Sequence, residues 1–492
     1  MASGAASAGA LGLLAACGGS ASVATTASSA ASAAVLANST APATSAVATS
    51  SSAATASSAL PSQTTSVAIS ASAAPAAQQA SVSGSKITLR YMYDTPPGEK
   101  VWHAKVKTDY EQLNPNITLQ PEVLGADWVN KTLAALAAGT GPDIVTGFGL
   151  IFLSFIEKGA FVELTPIINQ WLASYDIADF YPVSLKEVQY QGKQYGLPYS
   201  FDPSSIMYYM KPDLDAAGVA YPDTSWTYDD FQKDLIALTR KDSSGKTTQW
   251  GFNGSESLQG GGWARMLPAI WAYGGAQYSS DMTKCLLDQS QALLAVNMFY
   301  KLKVQYGTSP TLADTGKQNP YQMFASGQCA MQTSGPWAIG TYQSTITTPT
   351  LKDQWDIAPP PQGPKGRFAL ATGSQWGLNK ATPHLPEAGA LLRYLTDQTR
   401  SKEVASIARR LPARKSAAAA FVLPNTTPAH QSVFSDSLAY ANVMQYHTPV
   451  LETKVQGVLN SAWTDIIGLQ KGPPEPLWTQ AVAQVNQFLA TG

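Results

Sequence analysis

The side chains in this chain best suited to chemistry are aromatic and sit beside glycine. Trp263 follows Gly260-Gly261-Gly262, Trp337 follows Gly335-Pro336, and Trp376 stands in Thr372-Gly-Ser-Gln-Trp376-Gly377. Phe148 lies between Gly147 and Gly149, and Tyr199 follows Gly196-Leu-Pro198. With 12 Trp and 21 Tyr in the chain, many rings fall in such loops rather than at periodic core positions. A ring on a flexible approach can face a cleft. There it packs on the apolar C–H face of a hydroxyl-bearing ring such as a pyranose. The hydroxyls need partners, since a buried polar group left unpaired costs about 1–3 kcal/mol. Asp94, Asp202, Arg414 and the region around Asn253 offer them, and Thr95, Arg265 and Ser374 share the same loops.

Several catalytic chemistries fail by inspection. Gly245-Lys246-Thr247 has the end of a phosphate-binding loop, but Arg240 stands where its first glycine is required. Gly147-Phe148-Gly149 lacks the third glycine of a dinucleotide loop, and no Gly-x-Ser-x-Gly elbow exists. His103, His384, His430 and His447 are scattered without metal-ligand spacing, so neither a metal nor a cofactor is expected. A glycosidase needs only two carboxylates at a suitable separation, so a secreted carbohydrate-active hydrolase stays open as an alternative.

These loops must be held by elements of an α/β fold. Lys86 to Tyr93 alternates as a first strand, and Asp94-Thr95 ends it. Trp102, Val106, Tyr110 and Leu113 then recur at helical spacing, Asn114-Pro115-Asn116 breaks the helix, and Ile117 to Glu122 is a second strand. Trp128, Leu133 and Leu136 share a helical face that Gly139 and Gly141 terminate. Asp143-Ile144-Val145 is a short buried strand, and Leu150 to Lys158 a helix closed by Gly159. Consecutive β-α-β units build a parallel sheet, and ligands bind outside the carboxyl ends of its strands. That places Asp94, Thr95 and Phe148 at one edge. Further on, Thr227-x-x-Asp230 starts a helix, with Trp226 and Phe231 as a hydrophobic staple across it.

Ala137-Ala-Gly-Thr-Gly-Pro-Asp-Ile-Val145 followed by Gly159-Ala-Phe-Val-Glu-Leu-Thr-Pro166 resembles the extracellular solute-binding proteins of family 1, the sugar-binding components of bacterial ABC importers, of the maltose-binding type. Gly192-Lys-Gln-Tyr-Gly-Leu-Pro198, Ile206 to Lys211, Phe324 to Met331 with Gly335-Pro-Trp337, Thr372 to Lys380 and Leu411-Pro-Ala-Arg414 match further segments of the family in order. The resemblance implies a periplasmic-binding-protein-like fold. In it two α/β lobes with mainly parallel sheets are joined by a multi-strand hinge, here 86–198 with 372–428 and 199–371 with 429–492. It implies a monomer that binds a sugar or oligosaccharide between the lobes, without enzymatic activity, and hands it to permease subunits. Asp94, Thr95, Phe148, Tyr199, Asp202, Trp263, Arg265, Trp337, Ser374, Trp376 and Arg414 are its expected ligand set. An opine or polyamine is a further alternative, and a clearly acidic cleft would favour the polyamine.

The chain carries all 65 of its Asp, Glu, Lys and Arg residues from Lys86 onward, and its formal charge of −1 points away from nucleic acid and from electrostatic membrane binding. Residues 1–17 end in Leu14-Ala-Ala-Cys17, which resembles a bacterial lipobox within a lipoprotein signal peptide and marks Cys17 for lipidation. Residues 18–85, almost wholly Ala, Ser, Thr and Val, are expected to be a disordered linker. The body would then be extracytoplasmic, held at the cell surface or in the periplasm by a lipid alone. With Cys17 lipidated, Cys285 and Cys329 are the remaining thiols, and in that compartment a disulfide between them is expected.

Overall fold

The computed structural model describes residues 86–125, 127–171, 174–254, 262–311, 314 and 318–491, all within one compact unit. Cys17, the 18–85 linker and Gly260-Gly261 lie outside the described residues. Among the described residues no helix is long and apolar enough to cross a membrane.

The strands run in chain order β1 Ile87–Tyr93, β2 Ile117–Val123, β3 Ile144–Gly147, β4 Gln189–Tyr190, β5 Lys193–Gln194, β6 Leu197–Pro203, β7 Ile206–Met210 and β8 Arg240–Lys241. They continue with β9 Thr247–Asn253, β10 Cys329–Ser334, β11 Trp355–Ala358, β12 Gln362–Gly363, β13 Gly366–Arg367, β14 Ala369–Leu378 and β15 Ala441–Val443. One sheet has the order β15-β14-β3-β1-β2, with β6 also on β14, and a second has the order β11-β7-β10-β9-β8. Two separate hairpins are β4-β5 and β12-β13. Each large sheet carries its own helices, which makes two α/β lobes.

Both sheets mix directions. In the first, β1-β2, β1-β3 and β14-β15 are parallel while β14 runs antiparallel to β3 and β6. In the second only β9-β10 is parallel. The cause is β6, β7 and β14, strands placed next to chain crossings: β6 leads out of the first lobe, β7 and β14 enter from the opposite lobe, and each pairs against the local direction.

Side-chain alternation fixes the layers. On β1, Leu89 and Tyr91 pack with Trp102, Val106 and Tyr110 of the helix Pro97–Leu113. Met92 faces the opposite layer with Val145, Phe152 and Phe155. On β7, Ile206, Tyr208 and Met210 pack with Phe324, Tyr342 and Trp355, while Met207 and Tyr209 face Phe231, Leu235 and Phe252. The helix Tyr228–Leu238 starts as expected: Thr227 and Asp230 form a reciprocal capping box, and the Trp226 and Phe231 rings lie 5.6 Å apart.

The chain passes between the sheets at Ser204-Ser205, through Pro359–Phe368, and through Met444–Thr448, from β15 into the helix Pro449–Trp463. That helix and Pro474–Thr491 close the second lobe, where Trp463 and Trp478 are fully buried.

The expected disulfide is absent: Cys285 and Cys329 are both buried thiols. Different elements hold them. Asn486 of the last helix brackets Cys285, accepting from its backbone N at 2.7 Å and donating to its O at 3.2 Å. Cys329 instead opens β10 opposite Trp250 of β9. Burial pushes the Cys285 thiol up to about 12, which leaves it unreactive.

Candidate functional site

The carboxyl edge of the first sheet is organised by Arg410. The segment 411–413 runs antiparallel beside β6: Phe201 N donates to Leu411 O, Ala413 N to Tyr199 O, and Ser200 faces Pro412. This register sets Arg410 opposite Asp202. All five guanidinium donors are used. Nε and Nη2 reach Asp202 Oδ2 at 2.8 and 2.6 Å, and Nη2 also reaches Ser374 Oγ at 2.8 Å. Nη1 reaches Glu99 Oε1 at 3.0 Å and Asp94 Oδ2 at 3.2 Å. Asp202 is completed by Ser200 Oγ and Leu411 N, both at 2.8 Å. Burial alone would lower the arginine's pKa; Asp202, Tyr199, Glu99 and Asp94 outweigh it and hold it well above its ordinary value. A guanidinium this buried is tolerable only with such partners, because desolvating it costs several kcal/mol.

The second lobe leans over this network. Trp337 follows β10, its Nε1 donates to Tyr321 Oη at 2.8 Å, and its partly exposed ring lies 5.6 Å from the Arg410 guanidinium. Asp94, also partly exposed, caps the turn after β1 by accepting from Thr95 N at 2.7 Å, so its two oxygens serve two segments. Arg265 donates to Ser204 O at 3.1 Å, at the first crossing. Burial lowers its pKa, and among the described residues no carboxylate pairs with it. Phe148 caps the helix Gly149–Glu157 at the end of β3, its ring 5.8 Å from Trp128. A buried donor network, a partly exposed carboxylate and a partly exposed ring therefore meet at Arg410.

The sequence profile of the bacterial extracellular solute-binding proteins matches residues 94–399. The chain belongs to that family. A maltotriose-binding protein from Pyrococcus abyssi is 21% identical over 306 residues, 60% of this chain and 61% of the relative, so the match spans about three fifths of that protein's length. An ABC substrate-binding protein from Listeria monocytogenes, solved with cycloalternan, superposes with a TM-score of 0.72 at 21% identity, covering 82% of this chain and 99% of that one. UgpB from Mycobacterium tuberculosis, in complex with glycerophosphocholine, gives 0.69 at 17% identity over 83% and 99%. These structural likenesses show the two-lobed periplasmic-binding-protein-like fold.

Within this solute-binding protein the expected ligand set divides. Asp94 and Trp337, both partly exposed, flank Arg410 and form an aperture with Asp202 and Ser374 buried beneath it and Thr95 exposed beside it, while Arg265 lies at the first crossing and Phe148 at the end of β3. Four residues do not face it. Trp263 is fully buried against Trp478, ring centroids 6.2 Å apart, with Nε1 on Gln456 Oε1 at 2.9 Å. Trp376 is fully buried too, stacked on Tyr199 at 4.1 Å and donating to Met92 O at 2.9 Å, which makes both rings core. The flanking glycines permit close packing rather than exposure: a Cβ on Gly262 would lie 2.4 Å from Asn460 Oδ1, and one on Gly377 2.8 Å from Phe161. Arg414 is buried elsewhere, on Thr396 O, Asp176 O and Asp179. Asn253 is buried, with Nδ2 toward Met323 Sδ at 3.7 Å.

Sequence reasoning missed Arg410, Glu99, Tyr321 and Trp128. Arg410 directly precedes the Leu411-Pro-Ala-Arg414 segment, so its neighbourhood was visible. Its pairing with Asp202, 208 residues away, was not.

Proposed function

We propose that this chain is the extracytoplasmic substrate-binding component of an ABC importer and that it takes a sugar or oligosaccharide between its two lobes. The aperture supports this best: Asp94 and Arg410 from one lobe lie beside Trp337 from the other, with Arg265 at the first crossing. Trp337 and Phe148 offer ring faces, Asp94 an accessible acceptor, and Arg265 donors that no carboxylate among the described residues occupies. Ligand binding would draw the lobes together about Ser204-Ser205, Pro359–Phe368 and Met444–Thr448, with the lobes divided near those crossings. Membership of the family and the maltotriose-binding relative favour an oligosaccharide. Lipidation at Cys17, and delivery to a permease that reads the closed form, complete the proposal.

A cationic solute is the second reading, favoured by one observation: Arg410 is met by three carboxylates, Asp94, Glu99 and Asp202. One experiment separates the two. The purified protein is melted with a panel of neutral mono- and oligosaccharides, maltotriose included, and with spermidine. A ligand at a hundred times its Kd adds about 2.7 kcal/mol of stability. A raised melting temperature with a sugar and none with spermidine is expected; the reverse would overturn the sugar assignment.

A further inference from the structure

Arg265 has no counter-charge among the described residues. It lies in the short turn Gly262–Met266, whose Gly262, Trp263, Ala264 and Met266 are buried in the second lobe. Its Nη1 donates to Ser204 O at 3.1 Å. Ser204 is itself tied to β14, its N donating to Leu370 O at 2.7 Å and its Oγ to the same oxygen at 3.0 Å. Among the described residues that is the single hydrogen bond its five donors make. The side chain lines a small recess with Ser205 and Pro360-Pro361 from two crossings, Thr333 from β10, and Tyr228 and Phe252 from the core of the second lobe. Arg265 is the one charged residue in that lining. The recess has room for one small polar group rather than for a sugar ring.

Two further arginines have their pKa lowered by burial, Arg367 and Arg409. Each is held by two acceptors: Pro360 O and Thr224 O for Arg367, Phe421 O and Gln431 Oε1 for Arg409. Arg265 has one. Burial lowers its pKa as well, and Tyr321 is the one ionisable group among the described residues that acts against this. Asp202, Glu99 and Asp94 act on Arg410 instead, and Asp202 and Glu99 are buried on that guanidinium. The Tyr321 hydroxyl also accepts from Trp337 Nε1, so recess and aperture share a residue. A guanidinium stays charged at neutral pH, and drawing it from water without a partner is unfavourable. A carboxylate suits its planar fork, taking two parallel N–H bonds. A sugar hydroxyl can fill the same space but brings no charge.

We propose that the solute is a sugar acid, whose carboxylate Arg265 receives in the recess beside the crossings. This rests on the sugar-binding function proposed above and names the class of sugar.

Matched pairs test it at neutral pH: glucuronate against glucose, galacturonate against galactose, and trigalacturonate against maltotriose. Each is scored by melting of the intact protein and then by calorimetric titration. The uronate of at least one pair should bind about tenfold tighter than its neutral partner, or better. Arg265→Gln should abolish that preference, and Arg265→Lys, which keeps the charge without the fork, should keep only part of it. A neutral sugar that binds as well as its uronate overturns the inference and leaves the sugar reading standing. Succinate, a carboxylate without a sugar, separates the opposite failure. If it binds through Arg265 and no sugar binds, the sugar reading falls and the carboxylate site stands. If nothing that bears a carboxylate raises the melting temperature, the carboxylate site falls. The unliganded protein gives a second readout. An uncompensated cation adds no stability, so Arg265→Gln should melt no lower than wild type. Melting several degrees lower would mean that the cation is already paired within the chain, and would overturn the inference. The same loss in Glu256→Gln would name the partner, an acid outside the described residues.

Discussion

Two buried arginines four residues apart, Arg410 and Arg414, occupy contrasting surroundings. Arg414 is held by backbone carbonyls, Thr396 O and Asp176 O at 2.7 Å each, with Asp179 at 3.3 Å. Its guanidinium lies 4.6 Å from the Tyr175 ring and 4.2 Å from Phe180, both buried. Arg410 is held by side chains alone, from the helix Pro97–Leu113, from β6 and β14, and from the turn after β1. One of those partners, Asp94, and the ring above, Trp337, are partly exposed. A cation fixed by backbone and capped by rings cannot exchange partners without unfolding its corner. One fixed by side chains at an aperture can share them with a ligand. The difference separates a fixed strut from a network open on one side.

The largest effect should come from removing the strut. Arg414→Ala strands Asp179 and opens a gap between Tyr175 and Phe180, and breaking a buried pair costs about 3–5 kcal/mol. Urea unfolding should show that loss, while the folded fraction binds the sugar found by the melting panel with wild-type affinity. Weakened binding at normal stability would place Arg414 in the site and erase the contrast. The same corner should respond to acid. Burial would raise the Asp179 pKa, but hydrogen bonds from Ser416 and the ion pair with Arg414 outweigh it and hold it low. Its contribution is present above the usual carboxylate pKa of about 4 and is lost as pH falls below that. Removing the Asp179 carboxylate should therefore flatten the acid limb of the melting curve.

The tryptophans sharpen the comparison next. Trp263→Ala and Trp376→Ala empty core space and should cost about 3–5 kcal/mol each. Trp337→Ala should cost less stability and weaken sugar binding about tenfold, the loss of a ring contact of roughly 1–2 kcal/mol. Calorimetry beside melting curves checks both. Early melting with normal binding in the Trp337 variant would make all three rings core.

The fold was more legible in the sequence than the site, for a physical reason. Alternation along β1, the spacing of Trp102, Val106 and Tyr110, and the Thr227 cap with its Trp226–Phe231 staple are local, and local patterns report local geometry. The directions of β6 and β14 depend on the chain crossings, which no window of residues contains. A glycine beside a tryptophan is ambiguous in the same way: at Gly262 and Gly377 it lets a neighbour approach closely, and nothing nearby in the sequence distinguishes that from an open loop. Arg410 became recognisable only once folding brought Asp94, Glu99, Asp202 and Ser374 around it.

The smallest expected effect tests whether Asp94 belongs to the aperture or only to its turn. Asp94→Asn keeps the size of the side chain, and its remaining carbonyl oxygen can still accept from Thr95 N. Arg410 keeps Asp202 and Glu99, and a partly exposed ion pair contributes about 0–1 kcal/mol, so the melting temperature should barely move. Binding is the more sensitive readout. A sugar hydroxyl donating to a carboxylate contributes about 1.5–3 kcal/mol, against about 0.5–1.5 to a neutral amide. The difference of roughly 1 kcal/mol predicts about a fivefold loss of sugar affinity, below the loss at Trp337. Calorimetric titration of this variant with the sugar found by the melting panel decides the matter. Unchanged affinity would confine Asp94 to capping the turn after β1 and leave Arg265 and Trp337 as the polar and aromatic contacts of the cleft.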